Sequence, residues 1–414
     1  DVYPADYQWI ADWSAGPAFV PSGTALNGVV EAGPCVRTMQ EDYDDDVEFQ
    51  ARRKIFDLAR QDGAKPFFGV VSFTSPHTPF NVTQQYWDLY DHDKIGLPDV
   101  PAIPFAELDY FSKALFFAHG RHRHSVTEDH LRKTRHAYFA MISYIDDKIG
   151  KLLDQLEETG LRDDTVVIFT SDHGEMLGER GMWFKQCFWE WSARVPLIVS
   201  APNGRRGARV EANTSLVDLA PTLIDFGGGA GKFPEEMGGE LAGNTITALL
   251  DGEDSDWPDI AISDYLAIGP CVPCRMVRMG QYKYIRTHGQ PDLLFKLGSD
   301  PDELQNLADD PAHAAILDDL HRIAMQGYDP EALISEVIAS QRRRRFIAKV
   351  PGTTPPWDYV AYQGDAERYV RRDGVDATKS RLRLPRIEPV PPDMPELSAE
   401  TIDRMMRGEM DFST

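Results

Sequence analysis

Short apolar runs, each flanked by polar or turn-forming residues, predict β-strands along this chain. Residues 67–73 and 165–170 are rich in β-branched and aromatic side chains, which is typical of strands buried on both faces. Residues 195–199 form another such run. Because helical patterns alternate with these runs, the sequence predicts an α/β fold with a mostly parallel large sheet flanked by helices.

Helical spacing is strongest over residues 128–160, where apolar residues recur every three or four positions and Gly160 marks the end. A weaker pattern predicts a helix over 47–61, with the acidic run 41–46 favourable near its amino end. A third helix is predicted over 214–226. We expect all three to be scaffold that packs on the sheet.

The pattern changes after residue 256, where hairpin-like strands, including residues 276–285, are followed by a helix over 311–326. This predicts a smaller C-terminal α+β domain over 257–345, packed on a main domain over 1–256. An extended proline-rich tail is predicted over residues 346–414, and its proline-dense part, residues 351–395, lacks helical or alternating apolar patterning. Such a tail is expected to be mobile or to lie across a partner.

Charge and composition narrow the class of protein. The chain has 414 residues, 66 acidic against 43 basic, and a net charge of −23, which argues against nucleic acid and against an anionic membrane as partners. No apolar run approaches the length of a membrane helix, so a soluble protein is expected, cytoplasmic or periplasmic. Its four cysteines are too few for a disulfide framework. An anionic substrate would have to be attracted by a local cation.

Candidate chemistry follows the strand predicted at 165–170. Asp172 and His173 come directly after it, Gly174 allows a tight turn, and Lys185 follows soon after. Open α/β sheets bind ligands at the carboxyl ends of their strands. A carboxylate and an imidazole suit a divalent cation, and a lysine suits a tetrahedral anion beside it. The alternative is an Asp-His pair that only caps the next helix.

His77 follows the other predicted strand and stands between Pro76 and Pro79. The prolines favour an extended backbone, so this side chain is expected to reach a ligand at the same edge of the sheet. The alternative is a histidine whose hydrogen bonds are satisfied within its own loop.

The string SDHGEMLGERGMWFK, with SARVPLIV after it and PFFGVVSFTSPHTPF before it, resembles the sulfatases of the alkaline phosphatase superfamily, in particular the choline sulfatase and phosphonate monoester hydrolase branch. The resemblance implies an alkaline phosphatase-like fold and metal-assisted hydrolysis of a small sulfate ester. It implies Asp172 and His173 as ligands of a divalent metal, calcium or alternatively manganese. Lys185 and His77 are implied as catalytic residues, Lys185 neutralising the sulfuryl oxygens and His77 acting as general acid.

The resemblance extends to the ends of the chain. It implies Trp9 and Asn27 as substrate-binding residues, Trp9 through a cation–π contact with a quaternary ammonium. A tryptophan packed under a loop is the alternative for Trp9. The late strings WDYVAY and ERYVRR look like the choline sulfatase tail, which implies a homo-oligomer formed through the C-terminal tail.

The family places a strand with paired aspartates and a CxPSR motif, the source of formylglycine, before the region of His77, and neither precedes it here. Roughly the first hundred residues of such an enzyme are therefore expected to be missing, and this chain alone is expected to be inactive. Cys271 to Arg275 fit a bare CxPxR pattern, but they lie late, before a predicted hairpin. No second cysteine pair supports zinc.

Two other functions stay open from the sequence. One is hydrolysis of a phosphonate monoester or a phosphodiester, because related metal sites handle these substrates with small changes among their ligands. The other is a relic without catalysis that binds an anion or a protein partner.

Overall fold

The structure is a computed structural model that describes residues 10–19, 26–61, 65–202, 204–229, 241–253, 256–349, 383–385 and 390–412. The α-helices are α1 (Asn27–Val30), α2 (Met39–Ala59), α3 (Gln84–Trp87), α4 (Tyr110–Ala118), α5 (Glu128–Glu158), α6 (Glu190–Ala193), α7 (Leu219–Phe226), α8 (Thr247–Asp251), α9 (Ala314–Met325), α10 (Pro330–Ala348) and α11 (Ala399–Met406). The strands are β1 (Gly33–Cys35), β2 (Asn81–Thr83), β3 (Val167–Thr170), β4 (Leu197–Ser200), β5 (Ile260–Tyr265), β6 (Cys274–Met279), β7 (Tyr282–Thr287) and β8 (Leu293–Lys296).

The long helix α5 confirms the prediction over residues 128–160. Thr127 and His130 form a reciprocal capping pair at its amino end, which satisfies backbone N–H groups that a helix start leaves unpaired. Its Met141 is buried in a core with Phe80 and Phe184. This core therefore includes the residue three positions after His77 and the residue directly before Lys185.

Helix α2 differs from its prediction in both its start and its buried face. It begins at Met39, because Thr38 and Glu41 form a capping box there. The apolar side chains expected to face the core are largely exposed, and Phe49 is 56% exposed. The buried residues of this helix are three acids instead, Glu41, Asp44 and Glu48.

Strand pairing in the main part is limited within the described residues. Strands β1 and β2 pair in parallel, and β3 pairs with β4 in antiparallel register, Val167 opposite Ser200. The prediction that residues 165–170 are fully buried is wrong, since Phe169 is 38% exposed. The strand predicted over residues 67–73 is not formed, since residues 65–74 belong to no helix or strand, and Phe68 is 71% exposed. Burial depends on neighbours across a sheet, and the described residues supply few for these segments.

The C-terminal part is an antiparallel sheet in the order β5-β6-β7-β8. The predicted hairpin is confirmed, since β6 and β7 are joined through the turn at Gly280 and Gln281. Helix α9 packs on this sheet, and Val277, Tyr284 and Leu320 share one core. The predicted helix over 311–326 is thus confirmed within a few residues, whereas the domain boundaries remain a prediction.

The described end of the tail is folded on its own chain. Residues 390–412 include α11, whose Ile402 and Met405 are buried with Phe105, Phe116 and Phe117. The tail, predicted to be extended over 346–414, is therefore helical at this end, and α11 lies beyond the proline-dense residues 351–395. A helix of 8 residues with two inward apolar side chains is too short a pattern to stand out in a proline-rich segment. Among the described residues, no helix combines the length and the apolar character needed to cross a membrane.

Candidate functional site

His77 lies in the turn that follows residues 65–74. Its Nδ1 lies 2.7 Å from the carbonyl oxygen of Thr78. A carbonyl oxygen can only accept, so Nδ1 carries the proton and donates it to this bond. In the neutral ring, Nε2 is then the nitrogen with the lone pair.

Asp172 and His173 stand at the carboxyl end of β3, as the sequence predicts. The Asp172 side chain is 86% exposed, and its Oδ2 lies 3.5 Å from Nε2 of His173. The other ring nitrogen, Nδ1 of His173, donates to the carbonyl oxygen of Gly174 at 2.8 Å. The hydrogen bond to Gly174 fixes the tautomer, so Nε2 and the carboxylate of Asp172 present acceptor atoms side by side.

Gly174 is required by space rather than by its backbone angles. A Cβ atom there would lie 2.0 Å from the carbonyl oxygen of Trp191, and the Gly174 N–H donates to the carbonyl oxygen of Ser192 at 2.8 Å. The chain after β3 therefore passes in direct contact with the helix that precedes β4. This close approach fixes where Asp172 and His173 leave the strand.

Lys185 is held in a strained turn. Its neighbours Phe184 and Gln186 have φ angles of 65° and 78°, a left-handed conformation that costs non-glycine residues about 1 kcal/mol or more. Burial stabilises this conformation, because Phe184 is fully buried and stacks on Phe80 with a centroid distance of 6.4 Å. The stack joins the turn of Lys185 to the turn of His77.

Two ionisable side chains support the same turn from within the protein. Glu175 accepts hydrogen bonds from the backbone N–H groups of Leu177 and Phe184, and burial raises its pKa to about 7. The ring of His119 contacts Gln186 through Nε2. Burial lowers the pKa of His119 to about 4, so this ring is neutral near pH 7.

The structure brings His77 together with the predicted site residues that follow β3. Nζ of Lys185 lies 2.6 Å from Nε2 of His77, and the ring centroids of His77 and His173 are 6.5 Å apart. A tetrahedral anion could contact the lysine and a histidine from one position. The arrangement can therefore bind an anion and can supply an imidazole beside it.

The residues present provide part of a metal site. Asp172 and His173 offer one carboxylate and one imidazole nitrogen on the same side, a donor set that suits a divalent cation. Among the described residues, no group of three or more His, Cys, Asp or Glu side chains is arranged to hold a metal ion. A bound cation would need further ligands in addition to these two.

Trp9 and Asn27 are the two residues predicted to bind the substrate. Trp9 lies outside the described residues. Asn27 begins α1, and its amide donates to the carbonyl oxygen of Val390 at 3.1 Å, which engages this group with the C-terminal segment. The next residue, Gly28, lies against Thr78, so Asn27 is near the His77 turn.

Cys271, shortly before β6, and Cys274, its first residue, have the properties of structural rather than reactive cysteines. Burial raises the pKa values of Cys271 and Cys274 to about 12. Both thiols therefore stay protonated near neutral pH, whereas a nucleophile or metal ligand requires the thiolate.

Sequence reasoning missed the residues that support the site. Glu175 directly follows Gly174, so its position within the motif is a sequence signal that it belongs to the site. His119 and Gln186 lie far apart in sequence, and no pattern connects them. Asp44 falls in the acidic run before the helix predicted over 47–61, and no sequence pattern marks Gln40, although both contact the segment of His77.

Two family models and several known proteins match this chain. The family model described as Sulfatase matches residues 3–229, and the model described as N-sulphoglucosamine sulphohydrolase, C-terminal, matches residues 178–327. A choline-sulfatase of Rhizobium meliloti is 37% identical over 398 residues, covering 94% of this chain and 77% of that protein. The multifunctional alkaline phosphatase superfamily protein PehA of Trinickia caryophylli is 31% identical, covering 68% of this chain and 59% of that protein.

A solved structure supports the fold. The phosphonate monoester hydrolase SpPMH from Silicibacter pomeroyi aligns with a TM-score of 0.59 and 26% identity, covering 75% of this chain and 64% of that one. The chain thus spans less than two thirds of the length of PehA and of SpPMH. The predicted α/β, alkaline phosphatase-like fold class is confirmed. Together with the family match over more than half of its length, this shows that the chain belongs to the sulfatase family of the alkaline phosphatase superfamily.

Proposed function

We propose that this chain forms part of a sulfate ester hydrolase whose substrate anion binds at Lys185 and His77. The observation that carries the proposal is the 2.6 Å approach of Lys185 Nζ to His77 Nε2, with the ring of His173 beside them. The chain as a whole carries a net charge of −23. A local cation in an acidic protein attracts an anionic substrate to this place, whereas the net negative charge of the protein repels it.

Lys185 is proposed to neutralise the sulfuryl oxygens. Its ammonium group is a compact charge with three donors, which suits the oxygens of a tetrahedral anion. As the S–O bond breaks, negative charge grows on the oxygens, so an interaction that strengthens with that charge lowers the barrier. The buried Phe184 beside Lys185 limits the ways in which this turn can move.

His77 is proposed to protonate the leaving group. Its Nδ1 proton is committed to Thr78, so a second proton would be carried on Nε2 once the substrate oxygens replace this nitrogen as the acceptor of the Lys185 ammonium. When the S–O bond breaks, this proton passes from Nε2 to the departing oxygen, the alcohol leaves uncharged, and the imidazole becomes neutral. Such a proton transfer contributes roughly 10² to 10⁴ in rate for a well-placed histidine.

Asp172 and His173 are proposed to hold a divalent cation, with calcium expected and manganese as the alternative. A bound cation would polarise the ester oxygens and the nucleophile. The nucleophile itself is proposed to be a formylglycine outside this sequence. What the residues of this chain supply is the acceptor pair and its orientation, since the bond from His173 to Gly174 fixes the imidazole.

The alcohol part of the substrate is proposed to be small, and choline sulfate is the first ester to test. The support is the 37% identity with a choline-sulfatase over nearly the whole chain. Trp9 and Asn27 are the residues of this chain that would contact the alcohol. A phosphonate monoester is the second candidate substrate, and it is supported by the likeness to SpPMH.

The test compares kcat/KM of the native protein, purified with calcium or manganese, on choline sulfate, 4-nitrophenyl sulfate and a phosphonate monoester. Turnover of a sulfate faster by orders of magnitude supports the proposal. Faster turnover of the phosphonate replaces it with the second candidate. If none of the esters is hydrolysed by protein that retains its metal, the chain belongs to a binding protein instead.

A further inference from the structure

Helix α2 buries a face made of carboxylates. Its buried residues, Glu41, Asp44 and Glu48, fall at spacings of three and four, so they lie along one side of the helix. A buried carboxylate is costly unless it is paired or hydrogen-bonded. The partners of each acid therefore indicate what that position does.

Two of these acids have partners that belong to the scaffold. Glu48 pairs with Lys148 of α5 at 3.1 Å. Glu41 accepts from the backbone N–H of Thr38 and from that of Thr83, both at 2.9 Å. These contacts cap the helix and attach it to α5 and to β2, and they touch no candidate site residue.

Asp44 has different partners. Its side chain is completely buried, and its two oxygens accept from the backbone N–H groups of Thr74 at 2.7 Å and Ser75 at 3.0 Å. These peptides lie two and three residues before His77. The carboxylate therefore fixes the backbone that enters the His77 turn.

Gln40 holds the other side of the same turn. It lies one helical turn before Asp44, and its Nε2 donates to the carbonyl oxygen of His77 at 2.8 Å. The His77 N–H donates to the carbonyl oxygen of Thr74 at 3.0 Å, which closes the turn between the two anchors. Side chains four residues apart on one helix thus contact the backbone on both sides of the imidazole.

We infer that Asp44, assisted by Gln40, is a positioning residue that sets the place of the His77 imidazole relative to Lys185. The inference rests on the proposed function, in which His77 protonates the leaving group. A shift of the turn by a fraction of an ångström would change the distance from Nε2 to the leaving oxygen without removing any group that touches the substrate. General-acid catalysis depends steeply on such geometry.

This role predicts a dependence on the leaving group that a purely structural role does not. An ester whose alcohol is a poor leaving group needs the proton from His77, whereas 4-nitrophenol leaves easily without it. Asp44→Asn keeps the size of the side chain but replaces one acceptor by a donor opposite a backbone N–H. Glu48→Gln is the matched control, because Glu48 is another buried acid on the same face with partners away from His77.

The experiment measures kcat/KM of the native protein on phenyl sulfate and on 4-nitrophenyl sulfate for the wild type, D44N, E48Q and H77A. In D44N the rate on phenyl sulfate should fall about tenfold or more relative to the rate on 4-nitrophenyl sulfate, in the direction shown by H77A. E48Q should lower the melting temperature and leave the ratio of the two rates unchanged. Gln40→Ala removes one bond without removing a buried charge, and it should shift the ratio in the same direction by less.

The outcomes separate this inference from the function on which it rests. If H77A changes the ratio of rates and neither D44N nor Q40A does, positioning by α2 is wrong and the proposed function stands. If D44N does not fold, Q40A decides between these results. If H77A keeps the wild-type rates on both esters, the role of His77 is wrong and the positioning inference is overturned with it.

Discussion

Nζ of Lys185 lies 2.6 Å from Nε2 of His77, although 108 residues separate them in sequence. The two residues sit in turns that share one core through the stacked rings of Phe80 and Phe184. The site is therefore a junction of two loops that the packing beneath holds together. Substitutions in the loops and in the core should affect it in different ways.

Replacing the lysine tests the electrostatic contribution directly. Lys185→Ala removes the cation proposed to face the sulfuryl oxygens, and kcat/KM on a sulfate ester should fall about 10²- to 10³-fold. Lys94→Ala is the control, since this lysine is exposed and pairs only with Asp91 among the ion pairs of the described residues. Steady-state kinetics on 4-nitrophenyl sulfate gives the measurement. Equal rates for the two variants would remove Lys185 from the proposed site.

Gly174 gives a prediction that depends on space alone. A Cβ atom at this position would meet the carbonyl oxygen of Trp191 at 2.0 Å, so Gly174→Ala must displace backbone and should destabilise the protein by about 1–3 kcal/mol. The displacement would move Asp172 and His173, so bound calcium or manganese should decrease as well. Melting temperature and metal content by elemental analysis give the two readouts.

The control for this variant is Gly150→Ala. Gly150 lies within α5, and a Cβ atom at this position would have no neighbouring atom from outside the helix backbone within 4 Å. Alanine should therefore stabilise the helix by up to about 1 kcal/mol. A Gly174→Ala protein with the stability and metal content of the wild type would show that the chain after β3 can relax. In that case the close approach to Trp191 would not define the site.

The stacked pair beneath the site predicts a large effect on stability. Phe184 and Phe80 are each completely buried, so Phe184→Ala leaves a cavity and should cost about 3–5 kcal/mol of unfolding free energy. It also removes the side chain whose burial stabilises the left-handed backbone next to Lys185. Chemical denaturation measures the first effect. Phe49→Ala, at an exposed position on α2, should change stability by less than about 1 kcal/mol.

The sequence predicted which candidate residues lie together better than it predicted their surroundings. Asp172, His173 and Lys185 lie within one motif, and His77 lies beside Lys185 as expected, although the strand predicted before His77 is not formed. The strand-like pattern at 165–170 correctly located β3. Its burial could not be predicted from the pattern, because burial depends on neighbours supplied by other parts of a chain.

Helix α2 shows a second limit of periodicity. A search for apolar spacing assigns the acidic run 41–46 to solvent, yet Glu41 and Asp44 are buried. Their partners include Thr83 and Thr74, at least 30 residues away. A carboxylate can face the interior only where such donors exist, and a single sequence does not reveal where the donors will lie. The positioning contacts of His77 were therefore visible only in the structure.

Acid should destabilise the protein through His119. Burial lowers the pKa of this histidine from 6.5 to about 4, so between these values the unfolded chain binds a proton that the folded chain does not. The stabilisation that the neutral ring contributes is thus fully present above about pH 6.5. It is lost as the pH falls towards 4, and the total loss is about 3 kcal/mol of unfolding free energy. Urea denaturation at several pH values between 7 and about 4 measures the slope.

His119→Gln isolates this contribution, because glutamine does not titrate and its amide nitrogen extends about as far from the backbone as Nε2, the atom that contacts Gln186 in the wild type. The variant should lose some stability at pH 7 through the smaller side chain. Its unfolding free energy should nevertheless fall less steeply with acid than that of the wild type. His122 keeps part of the slope in both proteins, since burial lowers its pKa to about 4 as well. Parallel pH profiles for the two proteins would mean that His119 takes up its proton over the same pH range in the folded and the unfolded chain, which contradicts a pKa lowered by burial.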